Sequence, residues 1–146
     1  MKKVQLTALI AVLCLLVSCK VEPEQINYGS DACHFCKMTI VDQQHAAQYV
    51  TGKGKQFKYD AIECMVNELA EKKGDDIAIL LVADYDSPGQ MTSAISSVYL
   101  ISPAIKSPMG ANLSGFTTEN NALAAKGESD GKVYNWVALL KKFDVD

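Results

Sequence analysis

The start of this chain limits everything that follows. Met1-Lys2-Lys3 is a short basic opening, and Leu6 to Val17 is an apolar or small run of 12 residues broken only by Thr7. A helix needs about 20 apolar residues to cross a bilayer, so a run of this length with a basic flank has the form of a signal-peptide core, not of a membrane span. It ends in Leu16-Val17-Ser18-Cys19, which resembles the bacterial lipobox: an apolar residue, two small ones, then the cysteine to be lipidated. The expectation is a signal peptide over 1–18, cleavage before Cys19, and palmitate-type acyl chains on Cys19. Each buried methylene then contributes about 0.8 kcal/mol to anchoring. The mature chain is expected in the cell envelope, facing the periplasm or the cell exterior. What is left to fold is 128 residues, enough for one domain around one core.

Lys2 and Lys3 leave with the leader, so the formal charge falls from −3 to −5. An acidic domain argues against nucleic acid, whose phosphates it would repel. Of the five cysteines, Cys14 is lost with the leader and Cys19 is lipidated, which leaves Cys33, Cys36 and Cys64. Three thiols in an oxidising compartment cannot all pair within one chain. At least one stays free, pairs elsewhere, or binds something.

Residues 19–30, with Pro23 and little apolar pattern, read as a flexible tether ahead of a domain over 31–146. Met38 to Val41 is a short β-branched segment. Ala46 to Val50 and Gln56 to Tyr59 are strands around a Gly52/Gly54 loop. Asp60 is the expected N-cap of a helix, with Glu63 completing a capping-box-like pair. Ile62, Met65, Val66 and Leu69 recur at helical spacing and Gly74 is the expected stop. Ile77 to Ala83 reads as a buried strand, and Asp84 to Gln90 as the connector between halves of about 31–86 and 91–146. The second half repeats the grammar more loosely. Val98 to Ile101 and Ala111 to Phe116 are strands around a Pro-rich turn. A helix opened by Thr118 or Glu119 then runs to Lys126, Val133-Tyr134 is a strand, and Trp136 to Phe143 is a closing helix. The expected class is α+β, built from two small related strand–strand–helix–strand units.

Cys33-His34-Phe35-Cys36-Lys37-Met38 is the most informative stretch. If it is extended, Cys36 and Met38 point to one face and offer a thiolate beside a thioether. Soft ligands of this kind select Cu(I). In Ser107-Pro108-Met109-Gly110, proline and glycine shape a turn that holds a methionine at its tip. Met65, at helical spacing, reads as core, and Met91 has no ligand partner near it in sequence. His34 is either a further ligand or a polar spacer. His45, outside the motif, is expected at the surface. Cys64 reads chiefly as a small core hydrophobe, with a ligand role as the lesser reading. Trp136 reads as core or interface.

The chain is similar to the NosL family of nitrous oxide reductase accessory lipoproteins. The resemblance rests on the lipobox, the Cys-x-x-Cys-x-Met stretch, the Phe-containing step into a helix and the later Pro-Met-Gly. It implies a lipid-anchored periplasmic Cu(I) chaperone that helps assemble the copper–sulfide centre of nitrous oxide reductase, with that enzyme or its maturation factors as partners. It also implies the doubled strand–strand–helix–strand fold. Position by position, Cys36 and Met38 match the family's Cys-x-Met pair, Cys33 the preceding cysteine, and Met109 the Pro-Met-Gly methionine. Lys37 departs from the pattern, since the family usually has glycine there.

Two rival readings remain open. Cys33 and Cys36 form a Cys-x-x-Cys that would suit a thiol–disulfide redox lipoprotein, or a structural disulfide. Three cysteines with His34 or His45 would suit zinc. No enzyme is evident: the sequence shows no Gly-rich phosphate loop, no Ser/His/Asp set and no paired carboxylates at acid–base spacing. If the leader is read correctly, mass spectrometry of membrane-extracted protein will find a lipidated Cys19 N-terminus, and Cys19→Ala will leave a soluble or uncleaved form. An unmodified Cys19 terminus contradicts the anchor.

Overall fold

Strand β1 (Ala47–Thr51) is the organising element, buried along its whole length except at Thr51. A strand covered on both faces must be central, and β1 carries a partner on each side. On one side it forms an antiparallel hairpin with β2 (Gln56–Tyr59), pairing Ala47 with Tyr59 and Val50 with Gln56. The connecting loop closes through Gly54 N–H to Thr51 O at 2.8 Å, with Gly54 at φ +81°, a conformation that glycine adopts without a Cβ clash. On the other side lies β3 (Ile77–Ala83), also antiparallel, with a bulge at Val50/Thr51. Between β2 and β3 runs helix α1 (Ile62–Glu71). The computed structural model describes residues 21–72 and 76–145. The expected leader at 1–18, the expected lipidation site Cys19 and the expected helix stop Gly74 lie outside these residues.

The chain then makes a turn, closed by Asp84 N–H to Gln90 O at 2.9 Å, and returns as β4 (Met91–Ser93) on the outer edge of β3. The stretch 84–90 is therefore a turn inside the first sheet, and the crossing to the second half comes after Ser93. There β5 (Val98–Ile101) pairs with β6 (Leu113–Phe116) on one flank and β7 (Lys132–Asn135) on the other. Helix α2 (Glu119–Lys126) lies between β6 and β7 in the chain, and α3 (Trp136–Lys142) closes it. The sheet orders are β2-β1-β3-β4 and β6-β5-β7. In both, the first strand is central, its hairpin partner is on one side, and the strand after the helix is on the other. The two related strand–strand–helix–strand units are thus present, and β4 and α3 are additions.

The local signals held unevenly. Thr118 Oγ1 accepts Asn121 N–H at 3.2 Å, as an N-cap should, and Asn135 Oδ1 does the same for Ala138 N–H at 2.8 Å. The first helix is different: its N-cap is Ala61, with no side-chain cap. Asp60 instead accepts Val41 N–H at 3.3 Å, and Glu63 turns to the second half. Long-range partners outcompeted the local cap. Strand β3 is buried only at Val82 and Ala83, because the second half covers just that end. The expected tether is hydrogen-bonded to the first sheet from Glu22 onward, with Glu22 to Gln25 themselves exposed. Ile26 is in the core, and the Gln48, Gln56 and Lys58 side chains donate to the carbonyls of Glu24, Glu22 and Gln25.

One apolar core joins the halves, with Ile62, Met65 and Tyr59 from the first and Tyr99, Leu113 and Trp136 from the second. At the seam, Tyr85 N–H donates to Gly115 O at 2.9 Å. His45, expected at the surface, is 3% exposed here. It lies between Asp42 Oδ2 (2.9 Å from Nδ1) and Ser114 Oγ (3.1 Å from Nε2). The fold therefore assembles a Ser/His/Asp set that the sequence did not reveal. Ser114 is 0% exposed on β6, so no substrate reaches its hydroxyl, and the chain of bonds serves to tie the halves. A Cβ on Gly115 would meet Ala83 O at 3.0 Å and Ile62 Cδ1 at 3.2 Å. Backbone cannot yield as a side chain does, so Gly115→Ala is expected to cost about 1–3 kcal/mol, read as a lower midpoint in chemical denaturation. An unchanged midpoint would mean that the seam is loose.

Candidate metal centre

Ala32 and Thr39 form an isolated antiparallel bridge, which forces residues 33–38 into a reverse turn. Cys33 N–H donates to Met38 O at 2.7 Å, and Lys37 N–H to Cys33 O at 3.0 Å. Lys37 has φ +66°, the left-handed region. This corrects the extended reading of Cys36-Lys37-Met38: the two sulfurs do not share a strand face. It also gives a physical reason for glycine where Lys37 stands. A residue with a Cβ takes this conformation at a cost of roughly 1–2 kcal/mol, which glycine avoids. The Lys37 ammonium in turn donates to His34 O across the turn.

The turn lies against α1. Residues four apart on a helix share a face, and Cys64 and Glu68 meet successive parts of the turn. Cys33, Cys36 and Cys64 bring their Sγ atoms within 4.8 Å of one another. All three are free thiols. Glu68, one helical turn on, holds His34: Nδ1 lies 2.8 Å from Oε1 and 2.9 Å from Oε2. The His34 ring also stands edge-on to Phe57, with centroids 4.7 Å apart. Lys72 reaches the same carboxylate. Burial pushes Glu68 up, but its hydrogen bonds to Lys72, His34 and Tyr59 outweigh this and keep it below the ordinary value. His34 is therefore seated on Glu68 and is not among the clustered ligand atoms.

The cluster divides its protons unequally. The Cys64 thiol donates to Cys33 Sγ and, against the effect of burial, lowers Cys33 to about 5, helped by Asp60 and Cys36 backbone N–H groups. The same hydrogen bond, with burial, pushes Cys64 far up. Cys36 is raised, first by burial and then by its neighbour Cys33. Cys33 and Cys64 are each 1% exposed, whereas Cys36 is partly open.

The methionines separate as the sequence suggested for two of them. Met65 is fully buried, and Met91 is half-buried on the edge strand β4. Met38 and Met109 are 55% and 43% exposed. Met109 lies in a turn closed by Gly110 N–H to Ser107 O at 3.1 Å. Cys64, read chiefly as a core hydrophobe, is buried as expected, and its sulfur also joins the cluster. The odd cysteine count and the Cys64/Glu68 spacing were the available signals. A Cys33–Lys37 segment bent into a bridge-closed turn also lacks the helix start that a redox Cys-x-x-Cys uses. His45 has both ring nitrogens engaged by Asp42 and Ser114, and neither histidine is among the atoms that cluster with the three cysteine sulfurs.

A family model, NosL, matches residues 25–142. No curated protein matches significantly. The crystal structure of the copper chaperone NosL from Shewanella denitrificans matches with a TM-score of 0.70 at 17% identity, covering 81% of this chain and 95% of that one. At that identity the likeness shows the fold alone. Alkylation of the reduced native protein is expected to modify Cys36 first and to reach Cys33 and Cys64 only after denaturation. Equal native labelling of all three would contradict the packing of the turn on α1.

Proposed function

The chain belongs to the NosL family, and on that premise we propose that it is an exported, lipid-anchored chaperone that carries Cu(I) and hands it on. The observation that carries this reading is the convergence of Cys33, Cys36 and Cys64, with sulfurs within 4.8 Å. Three sulfurs each about 2.3 Å from one ion stand about 4.0 Å apart, so the cluster needs only a small contraction to bind. Thiolates suit a soft monovalent ion, and so do the exposed thioethers of Met38 and Met109. Binding displaces the protons that the cluster still holds.

The layout favours release over storage. Cys33 and Cys64 form the buried floor, and Cys36 is the partly open member. Cu(I) rests on Cys36 with Met38 and Met109 as neutral outer donors and Cys33 and Cys64 behind. An acceptor's thiolate or thioether then enters from the open side, and the ion passes through an intermediate that shares ligands. His34 acts from its Glu68 seat beside the turn. Ligand exchange needs no acid–base machinery, so the protein is read as a carrier and not an enzyme. The acceptor is a copper protein of the envelope. Nitrous oxide reductase, through assembly of its copper–sulfide centre, is the client that the family resemblance favours.

The reading is tested by anaerobic competition against a Cu(I) chelator, with Zn(II) in parallel. Cys36→Ala is expected to cost more than either methionine variant, because it removes a sulfur that binds as a thiolate once the metal displaces its proton. Met38→Ala and Met109→Ala should each weaken binding about tenfold, equivalent to 1.4 kcal/mol. Met91→Ala should change nothing. Unchanged affinity in both outer-methionine variants would remove the thioethers from the site. Tighter Zn(II) than Cu(I) binding would place the protein in the zinc class.

A further inference from the structure

Glu63 occupies the first turn of α1, next to Cys64, and is 2% exposed. Its place three residues after Asp60 suggested a local cap, yet it reaches across to the other half of the molecule. The Ser107 hydroxyl donates to Oε1, and Ala111 N–H donates to the same oxygen at 3.4 Å. Those residues stand on either side of Pro108-Met109-Gly110, a turn closed by Gly110 N–H to Ser107 O, with Gly110 at φ +83°. One carboxylate oxygen thus grips both feet of the turn. Met109 itself is 43% exposed, so its own packing does not locate it, whereas Ser107 is buried at 7% exposure. Burying a carboxylate is unfavourable unless its oxygens are bonded. Oε2 has no hydrogen-bond partner among the described residues, so the tie to this turn is what occupies the group.

We propose that Glu63 is a positioning residue: it fixes the Met109 turn of the second half to the cysteine-bearing helix of the first, so that thioether and thiols act as one site. The proposal deepens the copper reading and rests on it. A donor on a connecting turn binds well only when its support holds it within about 0.5 Å of the productive place. Glu63 provides that support without touching the ion.

The test is a double-mutant cycle on the full chain, read by anaerobic Cu(I) competition together with amide hydrogen exchange. Glu63→Ala and Met109→Ala are each expected to weaken Cu(I) binding about tenfold, and the double variant to be no weaker than either single one. Ser107→Ala, which removes one foot, should move affinity in the same direction. Exchange at Gly110 and Ala111 should rise in Glu63→Ala while the β1 amides stay protected. If the β1 amides open, the fold itself is damaged, and Ser107→Ala decides instead. An additive loss of about a hundredfold in the double variant, or full affinity in Glu63→Ala where Met109→Ala is impaired, overturns the positioning role alone. No effect of Met109→Ala overturns both the methionine's copper role and the coupling.

Discussion

Helix α1 is enclosed from two directions, and the site exists because of that enclosure. It packs on β1 and β2 of its own half and on β6 of the other. Ile62, Met65 and Val66 supply the apolar contacts, but Glu63, Cys64 and Glu68 are buried as well. Burial on several sides makes each direction around the helix meet a different neighbour. Cys64 meets the cysteine turn, Glu68 meets His34, and Glu63 meets the Met109 turn. A helix exposed on one face would have sent these polar residues into water.

The acidic groups at this end of the domain are spent on long-range ties instead of local ones. Asp60 holds Val41, Glu63 holds the second half, Glu68 holds His34 and Lys72, and Asp42 begins the chain through His45 to Ser114. Buried polar groups must be satisfied, so each such pair strongly specifies which segments lie together. The outcome is a frame of buried polar ties around three clustered cysteine sulfurs. A closed frame with one partly open sulfur suits a ligand that must arrive, be held and leave.

The sequence carried the architecture further than the site. Ile62, Met65, Val66 and Leu69 at helical spacing announced α1, and Thr118 announced α2, because these signals depend on neighbours within one helical turn. The doubling of the strand–strand–helix–strand unit was visible in the two aromatic steps into a helix. By contrast, Asp60 and Glu63 looked like a capping pair, since sequence proximity hides competing partners 19 to 48 residues away. His45 looked like a surface residue for the same reason: Ser114, its partner on β6, is remote in the chain. Ile26 and the glutamines of β1 and β2 likewise pin an apparent tether to the first sheet.

By itself the sequence determined which atoms are available. These are three cysteines after the expected cleavage point, methionines at 38 and 109, and a glycine-bounded turn presenting the second of these. Residue chemistry of that kind is a property of composition and spacing, and it already pointed to soft-metal binding as one reading. Only the tertiary structure decided which of those atoms meet. The bridge between Ala32 and Thr39 bent the Cys33–Met38 stretch out of the strand it resembled, and with it the assumption that Cys36 and Met38 share a face. The packing of α1 against that turn brought in Cys64, which the burial habit of free cysteines had assigned chiefly to the core. The reason is physical: a helix face is chosen by everything packed around it, and the turn that selected this one lies some thirty residues away along the chain.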